Sequence, residues 1–230
     1  MKRLIGIVIC AVVLSVSFAG CSDSGGNVLS LTPTEAAELT DSQGIGYKVN
    51  EDGDLTVLNS PKEIKSFTVS SQFDGKKVAS IGRSAFKMSD AEKITVEDGI
   101  TVIEDHAFAF SDKLEEVILP EGIEKISNNA FAGCVALKTI KLPSTVKTID
   151  IFAFDASGLE TIELPNKVKS IGQLAFAQCT NLKTVKIPNK KAKIEDNTFK
   201  DCPELTLLLP KGSEIIKTAK KLGIRYKIVK

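Results

Sequence analysis

An Ala-Phe pair returns along this chain at Phe86, Phe108, Phe131, Phe154 and Phe176, and Thr198-Phe199 carries the pattern one step further. The intervals are 22, 23, 23, 22 and 23 residues. A fixed period of this size belongs to stacked arrays, in which one unit cannot bury its own apolar face and neighbouring units bury it together. Nothing else in the 230 residues restricts the fold as much, since length alone cannot count domains in an array.

The stretch Ile126-Ser-Asn-Asn-Ala-Phe131-Ala-Gly-Cys134-Val-Ala-Leu137-Lys-Thr-Ile140-Lys-Leu142-Pro143 shows one unit in full. Its second half, Leu-x-x-Ile/Val-x-Leu/Ile-Pro, recurs from Leu114 to Pro120, Leu137 to Pro143, Leu159 to Pro165 and Leu182 to Pro188. Apolar and polar residues alternate there, as in a strand with one buried face. Pro cannot donate to a ladder, so it ends the strand and turns the chain. A second apolar pair follows, as in Ile123-x-x-Ile126 and Val146-x-x-Ile149, and the Ala-Phe pair then points inward. Stacked units would rise by about 4.8 Å each along parallel ladders. The outward columns suit that register: Lys141, Glu163 and Lys186 follow one another, as do Glu115, Lys138, Glu160 and Lys183, with Thr139, Thr161 and Thr184 between them. Opposite charges on neighbouring strands contribute roughly 0.2–1 kcal/mol per pair, so this face reads as structural and self-satisfied.

These residues resemble the BspA-type, or Treponema-type, bacterial leucine-rich repeat, whose units read like Leu-x-x-Ile-x-Ile-Pro followed by Val-x-x-Ile-Gly-x-x-Ala-Phe-x-x-Cys. Leu182-Lys-Thr-Val-Lys-Ile-Pro188 and Val168-Lys-Ser-Ile-Gly-Gln-Leu-Ala-Phe176-Ala-Gln-Cys179 match almost place for place. The resemblance spans about six units, and its departures fall at the ends: Ala91 and Glu97 replace Leu and Pro in the first unit, and Lys191 and Thr198 break columns in the last. It implies a β-rich repeat solenoid over residues 79–209. Residues 43–78, with strand patterns at Tyr47–Val49, Leu55–Leu58, Phe67–Val69 and Val78–Ile81, form an N-terminal β cap. Residues 210–230 form a C-terminal cap, with a Ser-capped helix stopped at Gly223 and a final strand from Ile224.

The N-terminus reads as an address. Lys2 and Arg3 precede an apolar run, Leu4 to Val16, that is short for a membrane span. Phe18-Ala-Gly-Cys21 resembles the bacterial lipobox, with Phe18 where Leu is usual. That resemblance implies a lipoprotein signal peptide over residues 1–20 and lipid on Cys21, hence an exported, membrane-anchored protein at the cell surface. The alternative is an ordinary cleaved signal. Residues 21–42 read as a polar tether followed by a short helix, starting at Thr32-Pro-Thr-Glu35 and ending near Leu39 or Thr40.

Chemistry-bearing residues mostly fall into repeat slots. Cys134, Cys179 and Cys202 each sit three residues after a repeat Phe and read as small core hydrophobes. Ladder spacing also leaves a Cys179–Cys202 disulfide open, since about 4.8 Å lies within the Cα range of that bond. The spacings suit no zinc site, and no metal or cofactor is expected. His106, the single histidine, fills a variable slot shared with Ser84, Asn129, Phe152, Leu174 and Asn197. Glu104-Asp105 and Glu195-Asp196 share another slot after Ile. Neither pattern supplies a nucleophile with an orienting partner, so no catalytic residue and no enzyme activity are expected.

Two departures from the pattern are the candidate binding features. Residues 1–115 carry 11 basic and 17 acidic side chains, whereas residues 166–230 carry 15 and 5. Lys167, Lys169, Lys190, Lys191 and Lys193, with the lysines of the C-terminal helix, concentrate that excess. Phe110, Phe152 and Leu174 are apolar where such loop positions are mostly polar. The expected partner is a protein or an anionic glycan, with the membrane reached through the N-terminal lipid and no nucleic acid. The family resemblance implies adhesion to host or matrix components; a purely structural envelope subunit is the other reading.

Overall fold

The computed structural model describes residues 39–61 and 63–229, so the signal peptide, Cys21, the tether and the Thr32–Glu35 helix start lie outside the described residues. The cap contains β1 (Leu39–Thr40), β2 (Gly46–Val49), β3 (Leu55–Asn59), β4 (Ser66–Val69), β5 (Gln72–Phe73) and β6 (Lys76–Ile81). The array continues through β7 (Lys93–Val96), β8 (Val102–Ile103), β9 (Glu116–Ile118), β10 (Lys125–Ile126), β11 (Thr148–Ile149) and β12 (Thr161–Glu163). It ends with β13 (Ser170–Ile171), β14 (Thr184–Lys186), β15 (Lys193–Ile194), β16 (Thr206–Pro210), α1 (Ile215–Leu222) and β17 (Arg225–Val229).

The expected β-rich repeat solenoid is what forms. One face carries the parallel ladders β4-β7-β9 and β12-β14-β16-β17, and a second carries β3-β6-β8 and β10-β11-β13-β15. One boundary differs from the sequence reading. Leu39–Thr40 is not a helix end but a strand, paired antiparallel with Gly46 and Tyr47. Asp41 makes the hairpin: its Oδ1 accepts from the Gln43 and Ile45 amides, and its Oδ2 accepts from the Tyr47 hydroxyl. The cap therefore starts at Leu39 rather than at residue 43.

Inside, the repeat phenylalanines form one file. Phe86, Phe108, Phe131, Phe154 and Phe176 are fully buried, and Phe199 is 7% exposed. Successive ring centroids lie 4.9 to 5.5 Å apart, and from Phe108 to Phe199 the planes stay within 18° of parallel. That separation is one ladder step, so backbone pairing and ring stacking reinforce a single register.

The Ala-Phe turns make a third ladder without forming strands. The Ser84, Phe86 and Met88 amides donate to the carbonyls of Asp105, Ala107 and Ala109 in the next unit. The intervening Ala85, Lys87 and Ser89 amides donate three residues back within their own turn. Every amide from Ser84 to Ser89 is thereby satisfied, as a buried turn requires. From Phe86 to Phe176 the geometry takes left-handed residues on both sides of the Phe, and at Phe199 only after it. Ser84, His106, Asn129, Phe152 and Leu174 have φ between 56° and 61° two places before it, and Met88, Phe110, Gly133, Ala156, Gln178 and Asp201 lie between 52° and 70° two places after. None is β-branched, the class that tolerates positive φ worst.

Small polar side chains close the same turn from below. Ser111 Oγ donates to the Phe86 carbonyl, and the thiols of Cys134, Cys179 and Cys202 donate to the carbonyls of Phe108, Phe154 and Phe176. The two 22-residue periods arise where the turn between Phe and the next apolar anchor loses one residue, at Phe86–Ala91 and Phe154–Leu159. In the second of these, Gly158 passes so close to the Val135 carbonyl oxygen that a Cβ would lie 2.0 Å from it.

The first face is interrupted where continuity was expected. Lys138–Leu142 forms no strand, although Ile140 and Leu142 remain buried, and one ladder bond survives there, from the Glu160 amide to the Lys138 carbonyl. The break adjoins the shortened Phe154–Leu159 turn. The charge columns follow it. Lys183–Glu160 and Lys186–Glu163 pair at 3.2 and 2.8 Å, while Lys138 and Lys141 are in no ion pair among the described residues. Lys93–Glu116 at 2.8 Å and Lys65–Glu92 at 2.6 Å continue the rungs on the cap side.

Candidate functional site

Between the first and second faces five successive units turn a corner at or just after the proline position, and a sixth corner, Lys211 to Glu214, leads into α1. Lining the corners up gives Glu97-Asp98-Gly99, Glu121-Gly122, Ser144-Thr145, Asn166-Lys167 and Asn189-Lys190-Lys191. Each is followed by a buried apolar residue: Ile100, Ile123, Val146, Val168 and Ala192. The buried residue pins the corner, and the residues before it face solvent.

The sequence placed Lys167, Lys169, Lys190, Lys191 and Lys193 together, and the structure does bring them onto this corner and its second-face flank. All five are exposed, and none forms an ion pair among the described residues. Earlier in the array the same flank is compensated: Lys147 pairs with Glu124, and Lys125 with Asp150 at 3.3 Å. One unit later the acids run out, and Lys169 and Lys193 follow without partners. Helix α1 extends the basic end, with the Glu214 amide donating to the Lys190 carbonyl. Gly223 closes the helix at φ 69°, as the sequence indicated, but the N-cap is Glu214, without a side-chain cap bond, rather than a Ser; Ser213, one place earlier, accepts the Ile215 amide on its Oγ at 3.3 Å. Of its lysines, Lys221 is held by Asp196.

Sequence reasoning missed the acidic start of this corner, which appears once the units are aligned on their prolines. Glu97 stands in the proline position and accepts from the Ser71 amide and from the Ser70 and Ser71 hydroxyls. Those bonds, led by the Ser71 amide, hold its carboxyl below the usual range despite slight burial. Glu121 does the same one unit on, where the Ser144 amide and then its hydroxyl keep the carboxyl low. Both are firmly ionised.

The apolar candidates fall in two separate columns. Phe110 is 51% exposed in the column after the repeat Phe, with the Lys87 ammonium 5.9 Å from its ring centroid. It lies against Gly133, where a Cβ would meet its ring at 2.5 Å. Phe152 and Leu174 are half-buried in the column before the Phe. They share the left-handed slot with His106 and follow one another on successive rungs, apart from Phe110.

The remaining polar residues serve the stack. Glu104 Oε2 accepts the Arg83 amide, and Asp105 receives the Arg83 guanidinium at 3.1 Å. They border a shallow groove of about 540 Å³ with Glu124, Lys125 and Ser127, whose lysine and Arg83 are already paired. Cys179 and Cys202 stand as free thiols rather than a disulfide, each engaged with a phenylalanine carbonyl. Burial pushes the Cys134 thiol up to about 12, and Cys202 is also raised, first by its hydrogen bond with Cys179 and then by burial. Among the described residues no three His, Cys, Asp or Glu side chains converge as a metal-ligand set.

Comparison with known proteins agrees with this geometry. A BspA type leucine-rich repeat region matches residues 79–206 in six copies. The structure resembles the T. pallidum leucine-rich repeat protein at 24% identity and TM-score 0.66, covering 83% of this chain and 98% of that one. A leucine-rich repeat protein from Bacteroides ovatus matches at 25% identity and TM-score 0.60, over 72% of this chain and 53% of the other. The pneumococcal vaccine antigen PcpA shares the fold at 20% identity and TM-score 0.66, over 83% of this chain and 47% of its own. This chain thus spans about half of the latter two. A search of curated proteins finds no match.

Proposed function

Because the chain belongs to the BspA-type leucine-rich repeat family, we propose that it is an exported, lipid-anchored surface protein whose rigid stack presents the lysine corner to an anionic partner. The carrying observation is that Lys167, Lys169, Lys190, Lys191 and Lys193 are exposed in neighbouring turns and in no ion pair among the described residues, whereas earlier on the same flank Lys125 and Lys147 pair with Asp150 and Glu124. Uncompensated like charges at ladder spacing repel one another, and an anion lying across successive turns relieves that repulsion. The chemistry fits a linear polyanion such as a sulfated or carboxylated glycan, or an acidic protein segment, as adhesion to a host or matrix surface requires. Anchoring would come through Cys21, placing the array on the outside of the cell envelope.

The test is binding of the full chain to immobilised sulfated glycan, polyglutamate and neutral dextran. Salt-sensitive binding to the first two is expected, falling about tenfold or more when Lys167, Lys190, Lys191 and Lys193 are changed to Glu. Binding that survives those changes would refute the lysine corner as the site. Fatty-acid labelling that persists after Cys21→Ala would refute the anchor.

A further inference from the structure

The corner that carries the lysines has a second property. Counting charges in each turn between the strand end and the buried apolar residue gives −2 at Glu97-Asp98, −1 at Glu121 and 0 at Ser144-Thr145. It then gives +1 at Asn166-Lys167 and +2 at Asn189-Lys190-Lys191. Across these five turns the series is antisymmetric about the neutral one, and the next turn, Lys211 to Glu214, has no net charge. Five turns at about 4.8 Å per step place its ends about 19 Å apart. The charged residues in all of these turns are exposed, and none is in an ion pair among the described residues.

A line of charge with this symmetry is complementary to itself when reversed. We propose that two copies of this chain associate corner to corner and antiparallel, about a two-fold axis through the Ser144-Thr145 turn. In that arrangement Glu97 and Asp98 meet Lys190 and Lys191 of the second copy, Glu121 meets Lys167, and Ser144-Thr145 meets its own counterpart. The contact is isologous, so the same pairing occurs twice, and a closed dimer results rather than a filament. A parallel arrangement would set acid on acid and base on base along the whole corner. The acids are prepared for this: donors from Ser71 and Ser144 hold the Glu97 and Glu121 carboxyls ionised and at the turn. A contact one corner wide is small among protein interfaces, so the dimer is weak and depends on salt.

This inference does not rest on the ligand proposed above, although both use the same lysines. The acidic turns occupy the corner as an anionic ligand would, so ligand and second copy compete for it.

Charge exchange tests the pairing. Asp98→Lys with Glu121→Lys makes one corner wholly positive or neutral apart from Glu97, and Lys167→Glu with Lys190→Glu and Lys191→Glu makes another wholly negative. In sedimentation velocity of the full chain in mild detergent, the wild type is expected to dimerise at low ionic strength. Its association should weaken about tenfold or more between 0.05 and 0.5 M salt. Each variant alone should be monomeric, and an equimolar mixture of the two should recover the dimer. Ser144→Cys gives an independent check, because on the axis it should cross-link to itself, whereas Asp98→Cys should cross-link to Lys191→Cys and not to itself. A monomeric wild type at low salt, a variant that dimerises alone, or a mixture that stays monomeric would each overturn the proposal. Polyanion binding by the monomeric Asp98→Lys, Glu121→Lys variant would leave the ligand reading standing by itself. Its loss only in the lysine variant would separate the two in the same way.

Discussion

Truncating Phe131 measures how far the stack behaves as a sum of neighbours. The ring is fully buried, 4.9 Å from Phe108 and 5.4 Å from Phe154, with both planes within 7° of its own. Phe→Ala in a core costs about 3–5 kcal/mol, and each aromatic contact contributes about 0.5–1.5 kcal/mol beyond burial. Phe131→Ala should therefore cost about 5 kcal/mol, at the top of that range. Among the described residues Phe199 has one ring neighbour, Phe176 at 5.5 Å, and it is 7% exposed, so Phe199→Ala should cost less. The expected deficit is about 2 kcal/mol, one stacking contact plus incomplete burial. Urea unfolding followed by far-ultraviolet circular dichroism gives both values, with the slope checked for constancy. A double-mutant cycle then separates neighbours. Phe131→Ala with Phe154→Ala should show coupling of about 0.5–1.5 kcal/mol, and Phe131→Ala with Phe176→Ala about 0.3 kcal/mol or less. Equal losses at Phe131 and Phe199, or equal coupling in both cycles, would refute the nearest-neighbour account.

Asp155 stands where neighbouring units have Ala109, Ala132 and Ala177, and its Oδ1 is buried without a hydrogen-bond partner among the described residues. Burial raises its carboxyl above the ordinary 3.8, so the folded state holds that proton more tightly than the unfolded state, and its contribution falls as pH rises through the raised value. Asp155→Ala should gain about 1 kcal/mol at pH 7, a modest figure because the other oxygen is better solvated, and little below pH ~4. A gain identical at both pH values would remove the buried charge as its cause. At Asn129, φ 56°, Asn129→Gly should leave the melting temperature level or higher, while Asn129→Val should cost about 1–2 kcal/mol. Similar melting temperatures for the two would show that the left-handed slot carries no such restriction. Gly158→Ala puts a Cβ 2.0 Å from the Val135 oxygen and should destabilise by about 2 kcal/mol or more, whereas a neutral result would mean that this turn can open freely.

The strands, the phenylalanine file and both caps were legible because burial imposes a period on the sequence. Residues such as Ile149, Phe154 and Leu159 must face inward in every unit, so their spacing repeats. The third ladder was not legible, since its bonds are made by backbone amides while its side chains vary from Ser84 to Phe152 to Leu174. Only the absence of β-branched residues in those slots hints at positive φ. Leu39–Thr40 misled for the opposite reason. Thr32-Pro-Thr-Glu35 is a local helix signal, but Leu39–Thr40 is fixed by pairing with Gly46–Tyr47, which no local pattern reports. The lysine corner could be read as a cluster, but its acidic counterpart required alignment by unit, because Glu97 occupies a place where the repeat normally has proline.

The three ladders also govern how such a chain can change length. A unit offers the same set of donors, acceptors and ring faces to the unit after it as it accepts from the unit before. Duplicating or deleting one whole unit leaves every rung with a partner of the same kind. A one-residue change is absorbed only where the turn after Phe can tighten, as at Gly158. Any other insertion would put all three ladders out of step at once. Gene-level gain and loss of material in this body should therefore proceed in steps of a full period, and reach would be adjusted like the rungs of an extension ladder.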